Sequence, residues 1–357
     1  MPPDFQLIVM KYGLKKKFCY SGVACIVLIA SMLYYFFFTS FSKLGSTQYV
    51  YIDADDNVDS VCHKLRPWAH GHSMNAFTTL IRHGNYEENI RTGRYAIEPG
   101  RGALTVFRHL KNGMQAPVRL TIPPIRTKDR LAAVMSEKLM MDSLSLLKAL
   151  NNQDVCRKLG YDTATVICMF IPNTYEVYWN IPIESFFERM KTECNRFWTE
   201  ERQRRADAMG LSREEVVTLA SIVDEETADD KEKPMIAGMY YNRLKLRSNQ
   251  YPKGMPLQAD PTVKFAWKRF EVKRIYLNML LIDSPYNTYR YAGLPPGPIR
   301  IPTVAGIDAV LNHVQHDYLY MCAKEDFSGT HNFARTFAEH QENAKRYAIA
   351  LNRRGIK

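Results

Sequence analysis

The sequence predicts an α+β protein: an N-terminal transmembrane helix, then a small α+β module, then a mainly α domain with some β. Three observations lead to this prediction. Residues 18–42 contain no charged side chain, residues 44 to about 120 alternate between strand-like and helix-like patterns, and helical periodicity dominates the remainder. With 357 residues, 46% hydrophobic and 24% charged, the chain has the length and composition of two globular units.

The uncharged stretch FCYSGVACIVLIASMLYYFFFTSFS is 25 residues long, which is enough to cross a bilayer as a helix. Four lysines lie in the 17 residues before it, and Lys43 follows it. This asymmetry predicts a cytoplasmic tail at residues 1–17, a span at residues 18–42 and a periplasmic location for the rest. A cleaved signal peptide fits less well, because the apolar run is too long and no small-residue cleavage site follows it. A lipoprotein signal at Cys25 is disfavoured, because most of the run lies after that cysteine.

The formal net charge of the chain is +11. Such an excess suits an anionic partner, which could be nucleic acid, anionic lipid or an acidic polymer. A membrane tether with the folded bulk outside the cytoplasm argues against nucleic acid, so we expect no nucleic-acid partner.

Cysteine and histidine spacing indicates neither a metal centre nor a cofactor. The cysteines outside the span are Cys62, Cys156, Cys168, Cys194 and Cys322. Their odd number and wide spacing do not form a disulfide framework, although one bridge could form, and we expect most of them to be buried apolar residues. His70 and His72 lie two residues apart, with His63 and His83 nearby, but no His-Glu-x-x-His pattern occurs. We therefore expect these histidines on the surface.

The first extramembrane region, residues 43–121, shows the pattern of a small α+β module. Its predicted elements are a strand at Thr47–Ile52, a helix at Asn75–His83, a strand within Arg91–Gly100, a helix at Ala103–Gly113 and a last strand at PVRLTI. Two consecutive prolines then end the module.

The second region, residues 122–357, is expected to be mainly helical. Thr127 is a plausible cap for its first helix. A long helix follows Pro182, with aromatic residues on one face, and is predicted to end near Gly210.

An acidic cluster in LASIVDEETADD, residues 219–230, is the first candidate for acid chemistry. Ser212 and Glu215 have capping-box spacing, so a helix begins there. Helical periodicity points Glu225 to solvent and puts Asp224 and Glu226 on the two flanks of the buried face. Periodicity alone does not choose between these two, and carboxylates at a helix end are usually just solvated.

Two loops downstream have the composition of a carbohydrate groove. They are MPLQADPTVKFAW, residues 255–267, and DSPYNTYRYAGLPPGPIRIP, residues 283–302. Tyrosine faces stack on sugar C–H surfaces, while Asn and Gln bond hydroxyl and acetamido groups. An ordinary long loop is the competing interpretation by composition alone.

Five segments together resemble the endolytic murein transglycosylases of the YceG-like family. They occur in the family's order: ASIVDEET (220–227), YYNRLKL (240–246), MPLQADPTV (255–263), YNTYRYAGLPPGPI (286–299) and GTHNFARTFAEHQEN (329–343). MFIPNTYEV (169–177) is similar to a further family segment, and the single N-terminal span also matches. The resemblance implies a LysM-like sugar-binding module at residues 43–121 and a YceG-like catalytic domain at residues 122–357.

The resemblance also implies which acid acts. The family pattern Ser-Ile-Val-Glu-Lys-Glu-Thr puts the catalytic acid at Glu226 and the first acidic position at Asp224. Two positions depart from the family: Asn173 stands where Asp is usual, and Ala259 replaces Thr or Ser. A charge at residue 173 is therefore either not needed or supplied elsewhere, and no polar role is expected at residue 259.

The implied reaction is the water-free cleavage of the MurNAc-β-1,4-GlcNAc bond of nascent glycan strands, which leaves 1,6-anhydroMurNAc ends and so sets strand length. One acid, Glu226, would serve as both acid and base. We expect Gln258, Asp260, Tyr286 and Asn287 to hold the glycan, with no cofactor or metal. Peptidoglycan synthases or division proteins are further conceivable partners. Two alternatives stay open: a hydrolase with Asp260 as base, and a non-catalytic peptidoglycan-binding scaffold of the cell wall or division site.

Overall fold

The computed structural model describes residues 3–272 and 274–355, and it combines helices with short β-sheets. The chain folds into two compact units. The first contains the residues up to Val118 together with Glu176–Asn180, and the second contains Arg119–Tyr175 and the residues from Ile181 onward. The predicted α+β class is confirmed at this level. The cytoplasmic tail predicted at residues 1–17 begins with two residues that lie outside the described part of the chain.

The N-terminal helix, α1, runs from Pro3 to Phe37. Its segment Cys19–Phe37 is long and apolar enough to span a membrane, and none of it is buried. Nineteen residues at 1.5 Å each extend about 28 Å, close to the thickness of a bilayer core.

The predicted end of the span at residue 42 is wrong. The helix stops at Phe37, and Phe41 lies fully buried in the first unit, with its ring 5.7 Å from that of Phe77. Its backbone N–H donates to Arg101 O, and its carbonyl accepts from His70 N. Hydropathy cannot tell a core phenylalanine from a membrane one, since both environments favour the same side chain.

The first unit is built around an antiparallel pair of strands, β1 (Gln48–Ile52) and β2 (Gly93–Ile97). One face of this pair is buried, with Val50 opposite Tyr95. The helices of the unit are α2 (Val58–Leu65), α3 (Gly71–His83) and α4 (Ala103–Asn112). The two predicted strands and two predicted helices are confirmed, but α2 was not predicted, although Asn57 and Ser60 form a capping box at its start.

The strand predicted at PVRLTI exists as β3 (Val118–Ile122), but it does not join β1 and β2. It pairs with β4 (Asn173–Val177) in a separate two-stranded sheet. The hydroxyl oxygens of Thr121 and Thr174 are 2.9 Å apart across these strands.

The second unit is mainly helical, as predicted. Its helices are α5 (Lys128–Ser136), α6 (Ser143–Leu150), α7 (Gln153–Leu159), α8 (Ile183–Phe197), α9 (Glu200–Met209), α10 (Arg213–Glu226), α11 (Lys233–Lys245), α12 (Asp260–Trp267), α13 (Val304–Leu311) and α14 (Phe337–Arg353). A hairpin of β5 (Tyr320–Ala323) and β6 (His331–Ala334) completes it. The hydroxyl of Thr127 caps α5, which confirms that prediction.

The single helix predicted from Pro182 to near Gly210 is two helices. The chain leaves helical geometry at Trp198, and the hydroxyl of Thr199 accepts from Arg202 N to start α9. A threonine N-cap therefore interrupts an otherwise continuous apolar pattern. Gly210 adopts the left-handed conformation and ends α9 where the sequence predicted.

Candidate active site

Glu226 is the last residue of α10, a helix whose position is fixed at both ends. At its start, Ser212 and Glu215 form the predicted capping box. Near its end, the side chain of Asp224 is buried, pairs with Lys233 Nζ at 2.8 Å and accepts from the backbone N–H of Thr303 at 2.5 Å. Asp224 therefore anchors the helix end, and its oxygens are occupied by protein groups.

The prediction that Glu225 points to solvent is wrong. Its side chain is only 13% exposed and accepts two hydrogen bonds of 2.8 Å from Arg126 and one of 2.9 Å from Arg300. The helix α10 packs against other elements on several sides, so its polar flank is covered as well as its apolar face. The bidentate contact with Arg126 holds Glu225, the chain neighbour of Glu226, in one position.

Residue Glu226 is half-buried, and its carboxyl group accepts a hydrogen bond from the hydroxyl of Tyr240, with 2.6 Å between the oxygens. Burial raises the pKa of Glu226 to about 7, and the nearby charge of Asp260 acts in the same direction. The hydrogen bond from Tyr240 and the charges of Lys264 and Arg243 lower this pKa but do not outweigh the desolvation. Near neutral pH the group therefore exists in both protonation states, as an acid/base catalyst requires.

Glu226 lies in a cleft of about 210 Å³ within the second unit. Gln258 and Asp260, two of the predicted glycan ligands, line the same cleft. The hydroxyl of Tyr289, also in the cleft, donates to Asp260 Oδ1 at 2.6 Å. The structure thus brings together three of the five predicted site residues; their binding of glycan stays a prediction.

Arg243 lines the cleft and stabilises its wall. It is buried, and its guanidinium donates to the carbonyls of Leu257 at 2.6 Å and Leu319 at 2.5 Å. It thereby ties the loop before α12 to the segment that leads into β5. Gln258, on that loop, has a φ of +51°, a conformation that costs a non-glycine residue free energy and that recurs at functional sites.

Asn287 does not lie in the cleft. It is fully buried, its amide donates to the carbonyls of Leu280 at 2.8 Å and Ile282 at 2.9 Å, and its oxygen accepts from Tyr289 N at 3.1 Å. Both ends of the side chain are thus bonded within the loop. Asn287 shapes the loop that positions Tyr289 rather than presenting an amide to a ligand.

Tyr286 lines a different cavity from that of Glu226, and its ring lies 4.8 Å from the ring of Phe265.

The two positions where the sequence departs from the family need no charge or hydroxyl here. Asn173 is exposed and accepts from the next backbone N–H, while Ala259 is fully buried before α12.

Sequence reasoning missed Tyr240, Arg243 and His331 as cleft residues. A signal did exist for the first two, because they lie three residues apart on α11 and so share a helix face.

The seven cysteines are free thiols, and the described residues contain no cluster of His, Cys, Asp and Glu that could hold a metal ion.

Comparison with known proteins gives related sequences and a related fold. The model of the YceG-like family matches residues 50–346. An endolytic murein transglycosylase of Bacillus subtilis (strain 168) is 38% identical over 142 residues, which are 40% of this chain and 37% of that protein. One from Streptococcus pneumoniae (strain D39) is 24% identical over 300 residues, or 75% of this chain and 52% of that protein.

A crystal structure of a yceG-like protein from Listeria monocytogenes has a related fold, with a TM-score of 0.54 and 24% identity over 83% of this chain and 98% of that one. The chain spans about half, or less, of the length of these two transglycosylases. The family match covers most of the chain, from the first strand to the last helix, so the chain belongs to the YceG-like family.

Proposed function

We propose that this protein is a membrane-anchored lytic transglycosylase that cleaves peptidoglycan strands at the MurNAc-β-1,4-GlcNAc bond. The observation that carries the proposal is the environment of Glu226: a carboxyl group in an open cleft, with its pKa raised to about 7 by burial. The names of the two transglycosylase relatives support the same activity.

The reaction needs a single acid/base. Protonated Glu226 donates its proton to the glycosidic oxygen as the bond from that oxygen to C1 of MurNAc breaks. The resulting carboxylate then takes the proton from the C6 hydroxyl of the same MurNAc, whose oxygen bonds to C1 and closes the 1,6-anhydro ring. The proton moves from one sugar oxygen to the other through Glu226, and no water is consumed.

The neighbours of Glu226 have complementary roles in this proposal. The hydroxyl of Tyr240 holds one carboxyl oxygen and leaves the other for the substrate. Burial raises the pKa of Glu226, and Asp260 adds to this effect. The negative charge of Asp260 would also favour positive charge developing at C1. Gln258 and Tyr289 would bond or stack against the sugar rings.

A hydrolase is the second candidate, because Asp260 supplies another carboxylate in the same cleft and could activate water. Product masses separate the two reactions, since an anhydro end is lighter than a hydrolysed end by one water. We expect anhydro ends from the wild type and no cleavage by Glu226→Gln, which can neither donate nor accept the proton. Hydrolysed ends that disappear in Asp260→Asn would favour the hydrolase. An intact wild type that does not cleave glycan would leave the non-catalytic scaffold as the better interpretation, and cleavage by Glu226→Gln at the wild-type rate would refute the role of Glu226.

The anchor and the first unit extend the proposal. We propose that α1 spans the cytoplasmic membrane once, with its N-terminus in the cytoplasm and both units in the periplasm, supported by the apolar segment Cys19–Phe37. We also propose that the module at residues 43–121 is LysM-like and binds glycan, and that peptidoglycan synthases or division proteins are partners. A C-terminal reporter should behave as periplasmic, and the mature protein should retain its first residues. A mature N-terminus beyond residue 30 would refute the anchor.

A further inference from the structure

The second unit contains a basic cavity of about 480 Å³, more than twice the volume of the cleft at Glu226. Three cationic side chains line it, those of Arg126, Lys128 and Lys268. Phe265 and Tyr286, whose rings lie 4.8 Å apart, form its aromatic wall. The mechanism proposed above uses none of these residues.

The positive charge of this basic cavity is only partly neutralised by the protein. Arg126 is paired with Glu225. Lys128 donates to three neutral acceptors, the carbonyls of Leu150 and Thr163 and the amide oxygen of Asn151, and burial lowers its pKa.

Within residues 3–272 and 274–355, neither Lys128 nor Lys268 makes an ion pair. Asp129 is the acidic residue among the described lining residues, and it is exposed at the rim. The negative charge of Asp162 also acts on Lys128. Lys268 therefore carries the least neutralised positive charge of the cavity, and this charge favours an anionic ligand.

The helix α12 connects the basic cavity to the cleft of Glu226. Asp260 at its first residue lines the cleft, Lys264 lines a small intervening cavity of about 30 Å³, and Lys268 just after its last residue lines the basic cavity. These positions are four residues apart, so they share one helix face. Eight residues at 1.5 Å each put the two ends about 12 Å apart, a length that a few sugar residues cover.

The intervening cavity adjoins the basic cavity and is lined by chain neighbours of two cleft residues. It shares Arg126 and Phe265 with the basic cavity, and it is lined by Glu225 and Pro261, which adjoin Glu226 and Asp260 in the chain. A polymer bound across Glu226 could thus extend along α12 towards the basic cavity.

We infer that the basic cavity binds a carboxylate of the peptide stem carried by a muramoyl residue of the glycan strand, away from the scissile bond. The inference rests on the proposed function. Stem peptides carry free carboxylates that lysines can pair with, and an aliphatic backbone that can pack against Phe265 and Tyr286. A neutral sugar ring alone would leave the cations without a counter-charge.

Lys268 offers a clean test because of its backbone. Its φ is +53°, in the left-handed region that asparagine tolerates better than other non-glycine residues. Lys268→Asn therefore removes the cation without straining the fold, and Lys268→Arg retains a cation. Lys253→Asn, at an exposed lysine outside the lining of both cavities, is the matched control.

The assay compares turnover of stem-bearing glycan strands with that of strands of equal length whose peptides an amidase has removed. Because Lys268 is exposed, we expect Lys268→Asn in the full-length protein to lower kcat/KM on stem-bearing strands by roughly two- to fivefold, the scale of one solvent-exposed ion pair. The loss should appear in KM, Lys268→Arg should restore most of it, and Lys253→Asn should match the wild type. Turnover of stripped strands should not change.

A binding measurement separates this inference from the proposed function. Full-length Glu226→Gln protein should bind a soluble stem peptide with free carboxylates, and should bind more weakly when Lys268→Asn is added or when the peptide carboxylates are amidated. The inference would be overturned if Lys268→Asn lowered kcat/KM equally on both strand types. It would also be overturned if this variant changed neither turnover nor peptide binding. A wild type that cleaves neither strand would remove the proposed function, while the peptide titration would still decide about the cavity.

Discussion

Replacing Glu226 with glutamine should abolish glycan cleavage and, above neutral pH, should also stabilise the second unit. The pKa of Glu226 is raised from 4.5 to about 7 in the folded protein, mainly because the carboxyl group is desolvated. The folded state therefore holds this proton more tightly than the unfolded state. The resulting contribution to stability is complete below pH 4.5 and is lost as pH rises through about 7.

The magnitude follows from the gap between the two pKa values. One pKa unit corresponds to about 1.36 kcal/mol. The shift from 4.5 to about 7 therefore lowers the free energy of unfolding at pH 8.5 by up to about 3 kcal/mol, relative to low pH. Glutamine resembles the protonated acid and can still accept from Tyr240, so it avoids this cost. For a unit of this size the gain corresponds to roughly 6–12 °C in Tm, and less if water in the open cleft screens the charge.

The measurement is a series of thermal melts of wild type and Glu226→Gln from pH 5 to pH 9 in one detergent. The gap between the two Tm curves should be small at pH 5, widen up to about pH 7 and stay constant above it, with the variant higher. Glu225→Gln is the control at the neighbouring residue, and it should lower Tm across this range because Arg126 and Arg300 lose a charged partner. A Tm difference that does not change with pH, or a Glu226→Gln variant that is less stable at pH 8.5, would refute the reasoning.

Three further variants test neighbouring features. Tyr240→Phe removes a hydrogen bond that lowers the pKa of Glu226, so the limb of the pH–rate profile that reports this acid should move to higher pH. A limb that does not move would show that Tyr240 does not influence the pKa of the catalytic acid. Asn287→Ala leaves two loop carbonyls without donors and should destabilise the protein by about 1–3 kcal/mol for each group left unsatisfied, which denaturant melts would detect. Phe41→Ala should cost about 3–5 kcal/mol through the cavity beside Phe77, whereas a phenylalanine in lipid would cost much less in the same melts.

Local sequence signals predicted most of the secondary structure. Alternation located β1 and β2, and caps or terminal glycines located α4, α5 and α10, because each signal depends on residues within one turn or one strand. The split between α8 and α9 was missed because the apolar pattern continues across Thr199. The end of the span was missed because Phe41 is equally suited to lipid and to a protein core.

Candidate site residues could be predicted where a sequence motif identified them, but not where the orientation of a side chain determined its partners. Glu226, Gln258 and Asp260 reach one cleft, as their motifs implied. Loop composition correctly indicated aromatic and amide groups, but it could not tell that the amide of Asn287 bonds to its own loop. Periodicity misjudged Glu225, because it describes one buried face and α10 is covered on its flank as well.

The burial of Phe41 couples the depth of the anchor to the integrity of the first unit. Only Phe38, Thr39 and Ser40 separate the end of α1 from this core residue, and Thr39 is itself tied to His72 by a contact of 2.9 Å. Given the proposed span, a bilayer thicker or thinner than the segment Cys19–Phe37 would have to pull Phe41 from the core, at about 3–5 kcal/mol, before it could shift the helix. Hydrophobic mismatch costs only fractions of a kcal/mol per ångström. In such a membrane the lipid and the tilt of the helix would therefore adapt to the protein, and the first unit would keep a constant height in bilayers of different thickness.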